Sequence, residues 1–95
     1  MSTGYKADMS MQEFSYTITD PNGIHARPAG RFAQKMQEFT SAVTVNRDEQ
    51  SANAKALISM MKMRLKCGQT FIVKAEGEDE AAAIEAAREF LQANL

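Results

Sequence analysis

One cysteine, Cys67, stands among 95 residues, so no disulfide can close within the chain, and a reducing compartment is implied, the cytoplasm first. No apolar run approaches the roughly 20 residues that a membrane-spanning helix needs. No charged-then-apolar stretch resembles a signal peptide. An excess of one charge is also missing: Lys and Arg number 11 against 12 Asp and Glu, leaving a net charge of −1. With a pI near 5.8, that balance argues against nucleic acid or an anionic membrane as the main partner. There are no internal repeats, low-complexity tracts or signs of a second domain. What is present is ordinary: 44% apolar and 24% charged residues, enough for one soluble domain with a single modest core. Histidine, like cysteine, occurs once, as His25.

That histidine lies in the stretch the chain is organised around, Pro21-Asn22-Gly23-Ile24-His25-Ala26-Arg27-Pro28-Ala29. Pro21-Asn22-Gly23 is turn chemistry, because proline presets one backbone angle and Asn-Gly tolerates positive φ. From Ala29 onward Phe32, Ala33 and Met36 follow at helical spacing. Pro28 fits the first turn of that helix, where a missing N–H costs nothing. His25 therefore falls at or just before a helix N-terminus. Unpartnered N–H groups and the macrodipole make such an end electropositive and able to hold an anion. Arg27 adds a guanidinium suited to phosphate oxygens. Positive surroundings favour a neutral, nucleophilic ring. A transient phosphohistidine fits these residues, although a lone surface histidine in a capping turn is the commoner finding in an arbitrary protein.

Taken in order, residues 1–10 are small, polar and without periodicity. They read as a disordered leader or expression remnant ahead of a second start at Met11, with the domain over 11–95. Phe14, Tyr16 and Ile18 alternate with Ser15, Thr17 and Thr19, a half-buried strand. After the His25 helix, Ala42 to Arg47 reads as a strand with Val43 and Val45 on one face. Asp48-Glu49-Gln50 turns into a short strand over Ser51 to Asn53. Lys55 to Met63 is a short apolar helix, Lys66-Cys67-Gly68-Gln69 a turn, and Thr70 to Ala75 a fourth strand. Gly77 ends it, Asp79 is a good N-cap, and the last helix runs to about Asn94 with Ala83, Ile84, Ala87, Phe90 and Leu91 inward. The order is βαββαβα, an α+β chain. The acidic run Glu76, Glu78, Asp79 and Glu80 reads as a strand end and helix start rather than a metal site. Met60, Met61 and Met63 read as core or adaptable contact surface.

Gly23 to Ala29, Gly-Ile-His-Ala-Arg-Pro-Ala, resembles the active-site motif of the HPr family, the phosphocarriers of the bacterial phosphoenolpyruvate:sugar phosphotransferase system. Phe39-Thr40-Ser41, Ser51-Ala52-Asn53-Ala54-Lys55 and Ala75-Glu76-Gly77-Glu78-Asp79-Glu80 resemble further segments of that family, in its order and spacing. The resemblance runs from Met11 to Leu95. It implies an open-faced β-sandwich, with four antiparallel strands and three helices on one face. It implies that His25 accepts a phosphoryl group at Nδ1 from phosphohistidine on Enzyme I and yields it to a sugar-specific Enzyme IIA, with Arg27 assisting. Asn22, Gly23 and Ala26 then form the turn and phosphate-stabilising backbone. The two neighbouring helices form the docking face, with Gly30, Phe32, Leu57, Ile58 and Met61 as candidates. Neither a cofactor nor a metal is implied, and a monomer without nucleic acid or membrane insertion is expected. Three positions depart from the family. The 48–50 hairpin lacks its usual glycine, and the serine that regulatory kinases modify is replaced by Ala56. The glycine that follows the second helix is replaced by Arg64, where a positive φ costs more. A regulatory binding module of a nitrogen-type or other non-sugar branch is the alternative on the same fold. An RNA-binding ferredoxin-like domain, which shares the βαββαβ order, lacks its stacking aromatics and basic charge here.

Overall fold

The structure, a computed structural model, describes residues 11–95, so the expected leader over 1–10 lies outside the described residues. The elements run β1 (Gln12–Thr17), α1 (Ala26–Met36), β2 (Ala42–Arg47), β3 (Gln50–Asn53), α2 (Leu57–Lys62), β4 (Thr70–Glu76) and α3 (Glu80–Asn94). The strands form one antiparallel sheet in the order β1-β4-β2-β3. Alternation decides what each strand buries. Val43 and Val45 of β2 face the helices beside Phe71, Val73 and Ala75 of β4, all buried. Thr44, Ile72 and Lys74 lie on the other, open face. Opposite the core face, α1 contributes Ala29, Phe32, Ala33 and Met36, and α3 contributes Ala83, Ile84, Ala87 and Leu91. The Phe32 ring meets Phe90 of α3 at 5.5 Å between centroids, closing the seam between those helices. This is the expected βαββαβα open-faced sandwich.

Three local differences from the sequence reading have clear causes. The second helix begins at Leu57, not Lys55, because Asn53 holds the preceding residues in a turn. Its Oδ1 accepts the Lys55 N–H at 2.9 Å and its carbonyl accepts the Ala56 N–H at 3.0 Å. The helix stops at Lys62, and beyond Met63 Arg64 takes φ +53, the left-handed conformation, at the position where it replaces the family's usual glycine. In the β2–β3 hairpin, Asp48 takes the positive φ, at +54; Asp tolerates that region better than most residues.

The acidic segment is the third difference. Asp79 is the N-cap residue of α3, but its side chain makes no bond to its own helix. It accepts the N–H groups of Thr40 and Ser41 at 2.9 Å each, and the Ser41 hydroxyl as well. Glu80 turns back to accept the Gly77 N–H at 3.0 Å. A Cβ at Gly77 would come within 2.6 Å of the Ser41 hydroxyl oxygen, so only glycine lets these two loops approach. The α1–β2 loop is thereby tied to the start of α3.

Candidate functional site

The site is built by the segment between β1 and α1. Asp20 opens the turn: its Oδ1 accepts the Asn22 N–H at 2.8 Å and its carbonyl accepts the Gly23 N–H at 2.9 Å. Gly23 is buried with φ +67, and a Cβ there would lie 2.5 Å from the Leu65 carbonyl oxygen and 2.9 Å from Lys66 Cα. The next residue, Ile24, is buried and donates its N–H to that Leu65 carbonyl at 3.0 Å. On the other side, the Thr19 and Asp20 N–H groups bond the Leu95 carbonyl at 2.7 and 2.9 Å. The segment leading to His25 is thus fixed from two directions before the helix begins.

His25 is the N-cap residue of α1, with extended backbone at φ −134 and ψ 173, and its carbonyl accepts the Ala29 N–H at 3.0 Å. Residues in this position usually turn their side chain onto the first helical N–H groups. The His25 ring makes no such bond and is left available. The N–H groups of Ala26 and Arg27 have no intrahelical acceptor by position, and Pro28 has no N–H to offer. No acidic side chain stands in the first helical turn to compete with an incoming anion. Arg27 is exposed and makes no ion pair among the described residues.

The charged side chain that reaches the ring is a carboxylate, which corrects the expectation of wholly positive surroundings. Asp20 Oδ2 stands 3.4 Å from His25 Nε2, with the two side chains 23% and 40% exposed. The Asn22 N–H holds the Asp20 carboxyl below its usual range, with the His25 ring adding to that effect against some desolvation. Sequence reasoning missed Asp20. The available signal was an acidic residue at the first position of a Pro-Asn-Gly turn, where Asx bonding is common.

Of the other candidate residues, Asn22 and Ala26 are exposed, and Gly23 is buried in the turn. Gly30 lies on α1 facing α2, and a Cβ there would meet only Leu57 Cδ2, at 3.9 Å. Ile58 is 66% exposed; Leu57 and Met61 are half-buried. Phe32 does not belong with them: it is 1% exposed and packed against Phe90. Its expected surface role is corrected, since it sits in the inward stripe of α1. Ala56 is the N-cap residue of α2 and offers no side-chain oxygen. Cys67 is exposed in the turn before β4, its Sγ 3.7 Å from the Thr19 carbonyl.

A small four-stranded sandwich with one histidine presented at a helix start is the architecture of a carrier domain. The family model described as "PTS HPr component phosphorylation site" matches residues 12–93, and the chain belongs to the HPr family. It is similar to the phosphocarrier protein HPr of Lysinibacillus sphaericus, with 43% identity over 76 residues, 80% of this chain and 86% of that one. The Mycoplasma capricolum phosphocarrier protein HPr is 37% identical over 79 residues, 83% of this chain and 89% of that one. Among solved structures, an HPr from Thermoanaerobacter tengcongensis superposes with a TM-score of 0.82 at 33% identity, covering 86% of this chain and 92% of that one.

Proposed function

We propose that this chain is a phosphocarrier of the phosphoenolpyruvate:sugar phosphotransferase system, taking a phosphoryl group on His25 from phospho-Enzyme I and delivering it to a sugar-specific Enzyme IIA. The observation that carries the reading is a single histidine at the N-cap of α1 whose ring is not spent on capping. Phosphoryl transfer needs little covalent help, so catalysis rests on positioning and charge stabilisation. The N–H groups at the start of α1 and the Arg27 guanidinium supply donors for the phosphoryl oxygens. Enzyme I docks on α1 and α2 around Gly30, Leu57, Ile58 and Met61. The methyl side chain of Ala56 cannot accept a phosphoryl group, so control by a serine kinase is closed at that position. Work in the reducing cytoplasm fits the one exposed free thiol, and the chain is proposed to act as a monomer. Among the described residues, no helix is long and apolar enough to cross a membrane.

Incubation with phosphoenolpyruvate and Enzyme I, followed by mass spectrometry, tests the reading. One acid-labile, alkali-stable phosphoryl group is expected on the wild-type chain and none on His25→Ala. Labelling that persists in His25→Ala removes the assignment.

A further inference from the structure

We infer that Asp20 is a positioning residue that fixes the proton of the neutral His25 ring on Nε2 and so directs the nucleophilic lone pair to Nδ1. The inference rests on the proposed role of His25 and names a device within the same site. Both oxygens of the Asp20 carboxylate have separate tasks. Oδ1 is committed to the Asn22 N–H at 2.8 Å, which closes the turn. Oδ2 faces Nε2 at 3.4 Å. That distance is long for a hydrogen bond, as is common for catalytic contacts before a substrate arrives. An ionised carboxylate can only accept, so the nitrogen facing it must carry the proton. The other nitrogen then holds the lone pair. The carboxyl of Asp20 is held below its ordinary range, which keeps it an acceptor.

In the transfer step, the Nδ1 lone pair attacks phosphorus as the bond from phosphorus to the donor's histidine nitrogen breaks. The released electron pair returns to the donor ring. Nε2 keeps its proton throughout, so the phosphorylated ring is cationic and lies against the Asp20 carboxylate. Delivery reverses the flow: the phosphorus–Nδ1 bond breaks toward the acceptor and the electron pair returns to Nδ1. Asp20 thus opposes the charge that appears on the ring without touching the phosphoryl group.

Two variants separate this role from simple support of the turn. In Asp20→Asn the amide oxygen is retained by the Asn22 N–H, so the amide NH2 faces Nε2 as a donor. Nε2 must then accept, and the proton moves to Nδ1, where it blocks the lone pair. In Asp20→Ser the hydroxyl oxygen can still accept from the Asn22 N–H while the ring loses its partner. Heteronuclear NMR of the ring nitrogens, at a pH where the ring is neutral, is expected to show the proton on Nε2 in the wild type and mainly on Nδ1 in Asp20→Asn. Phosphorylation by Enzyme I is expected to lose about ten- to a hundredfold in kcat in Asp20→Asn with KM little changed, and less in Asp20→Ser. An unchanged ring tautomer in Asp20→Asn, or wild-type kcat in that variant, overturns the inference. Equal losses in both variants also overturn it, because they assign Asp20 to the turn alone. The tautomer measurement needs no phosphoryl donor, so failure of the wild type to be labelled rejects the carrier reading separately.

Discussion

In the proposed carrier, a guanidinium two residues beyond the histidine is suited to neutralising the phosphoryl oxygens that carry charge in flight. Arg27 is exposed and is not bound to a carboxylate among the described residues, so its removal disturbs little of the fold. Arg27→Ala is expected to slow phosphoryl transfer by about ten- to a hundredfold, the value of one charge-assisted contact. Arg27→Lys is expected to recover part of that, because a point charge cannot match a planar fork. Rapid-quench measurement of phosphorylation, alongside urea midpoints that stay unchanged, checks both; wild-type rates in Arg27→Ala would make the arginine an ordinary surface residue. Arg27 and His25 were legible in the chain because they sit within one motif. Asp20 was not, because its contact with the ring spans five residues across a turn whose path depends on Gly23 packing against Leu65 and Lys66. Periodicity and spacing carry no information about such a fold-back.

Elements were read most securely where burial alternates strictly and least securely where a side chain redirects the backbone. The β2 strand fell on its expected residues because Val43 and Val45 are pinned by the core. The helix α2 starts at Leu57, later than the expected Lys55, because the bonds of Asn53 hold Lys55 and Ala56 in a turn that residue spacing does not reveal. The resemblance makes Phe32 a docking candidate, while its own place in the Ala29, Phe32, Ala33 and Met36 stripe has it facing inward; burial follows the stripe. At the far end of α2, Arg64 bears a left-handed φ of +53. Relief of that strain outweighs the extra freedom glycine gains when unfolded, so Arg64→Gly is expected to stabilise the domain by about 0.5–1 kcal/mol. A urea midpoint that fails to rise would show that the Arg64 side chain stabilises this turn by as much as its backbone costs.

The tie between α3 and the α1–β2 loop sets a pH dependence. The Ser41 hydroxyl first, and then the Thr40 N–H, lower the Asp79 carboxyl from 3.8 to about 2. A carboxylate held below its unfolded value stabilises the fold wherever it is ionised in both states. That contribution is complete above the unfolded value and is lost as pH falls through the folded one. Asp79→Asn is therefore expected to be less stable than wild type near neutral pH, with the difference shrinking between about pH 4 and pH 2. Urea unfolding at steps across that range measures it. Parallel curves for the two proteins would place the acid sensitivity on other groups.

For the molecule as a whole, the sheet leaves two candidate surfaces for a large partner, and only one adjoins the histidine. The open face carries Thr44, Ile72 and Lys74, while the helical side presents Gly30 and Ile58 on the helices next to His25. A donor that must bring phosphorus within bonding distance of Nδ1 has to cover the surface around the start of α1, and an exposed isoleucine there is suited to desolvation on contact. Ile58→Glu is expected to raise the KM for phosphorylation by Enzyme I about tenfold while leaving kcat and the urea midpoint near wild type. Gly30→Glu should act in the same direction, since its Cβ finds room beside Leu57 and the added charge projects from the same ridge. Lys74→Glu on the open face serves as the control and should leave KM unchanged. If Lys74→Glu raised KM and neither helical substitution did, the donor would have to reach His25 from the sheet edge, and the docking surface assigned to α1 and α2 would be wrong.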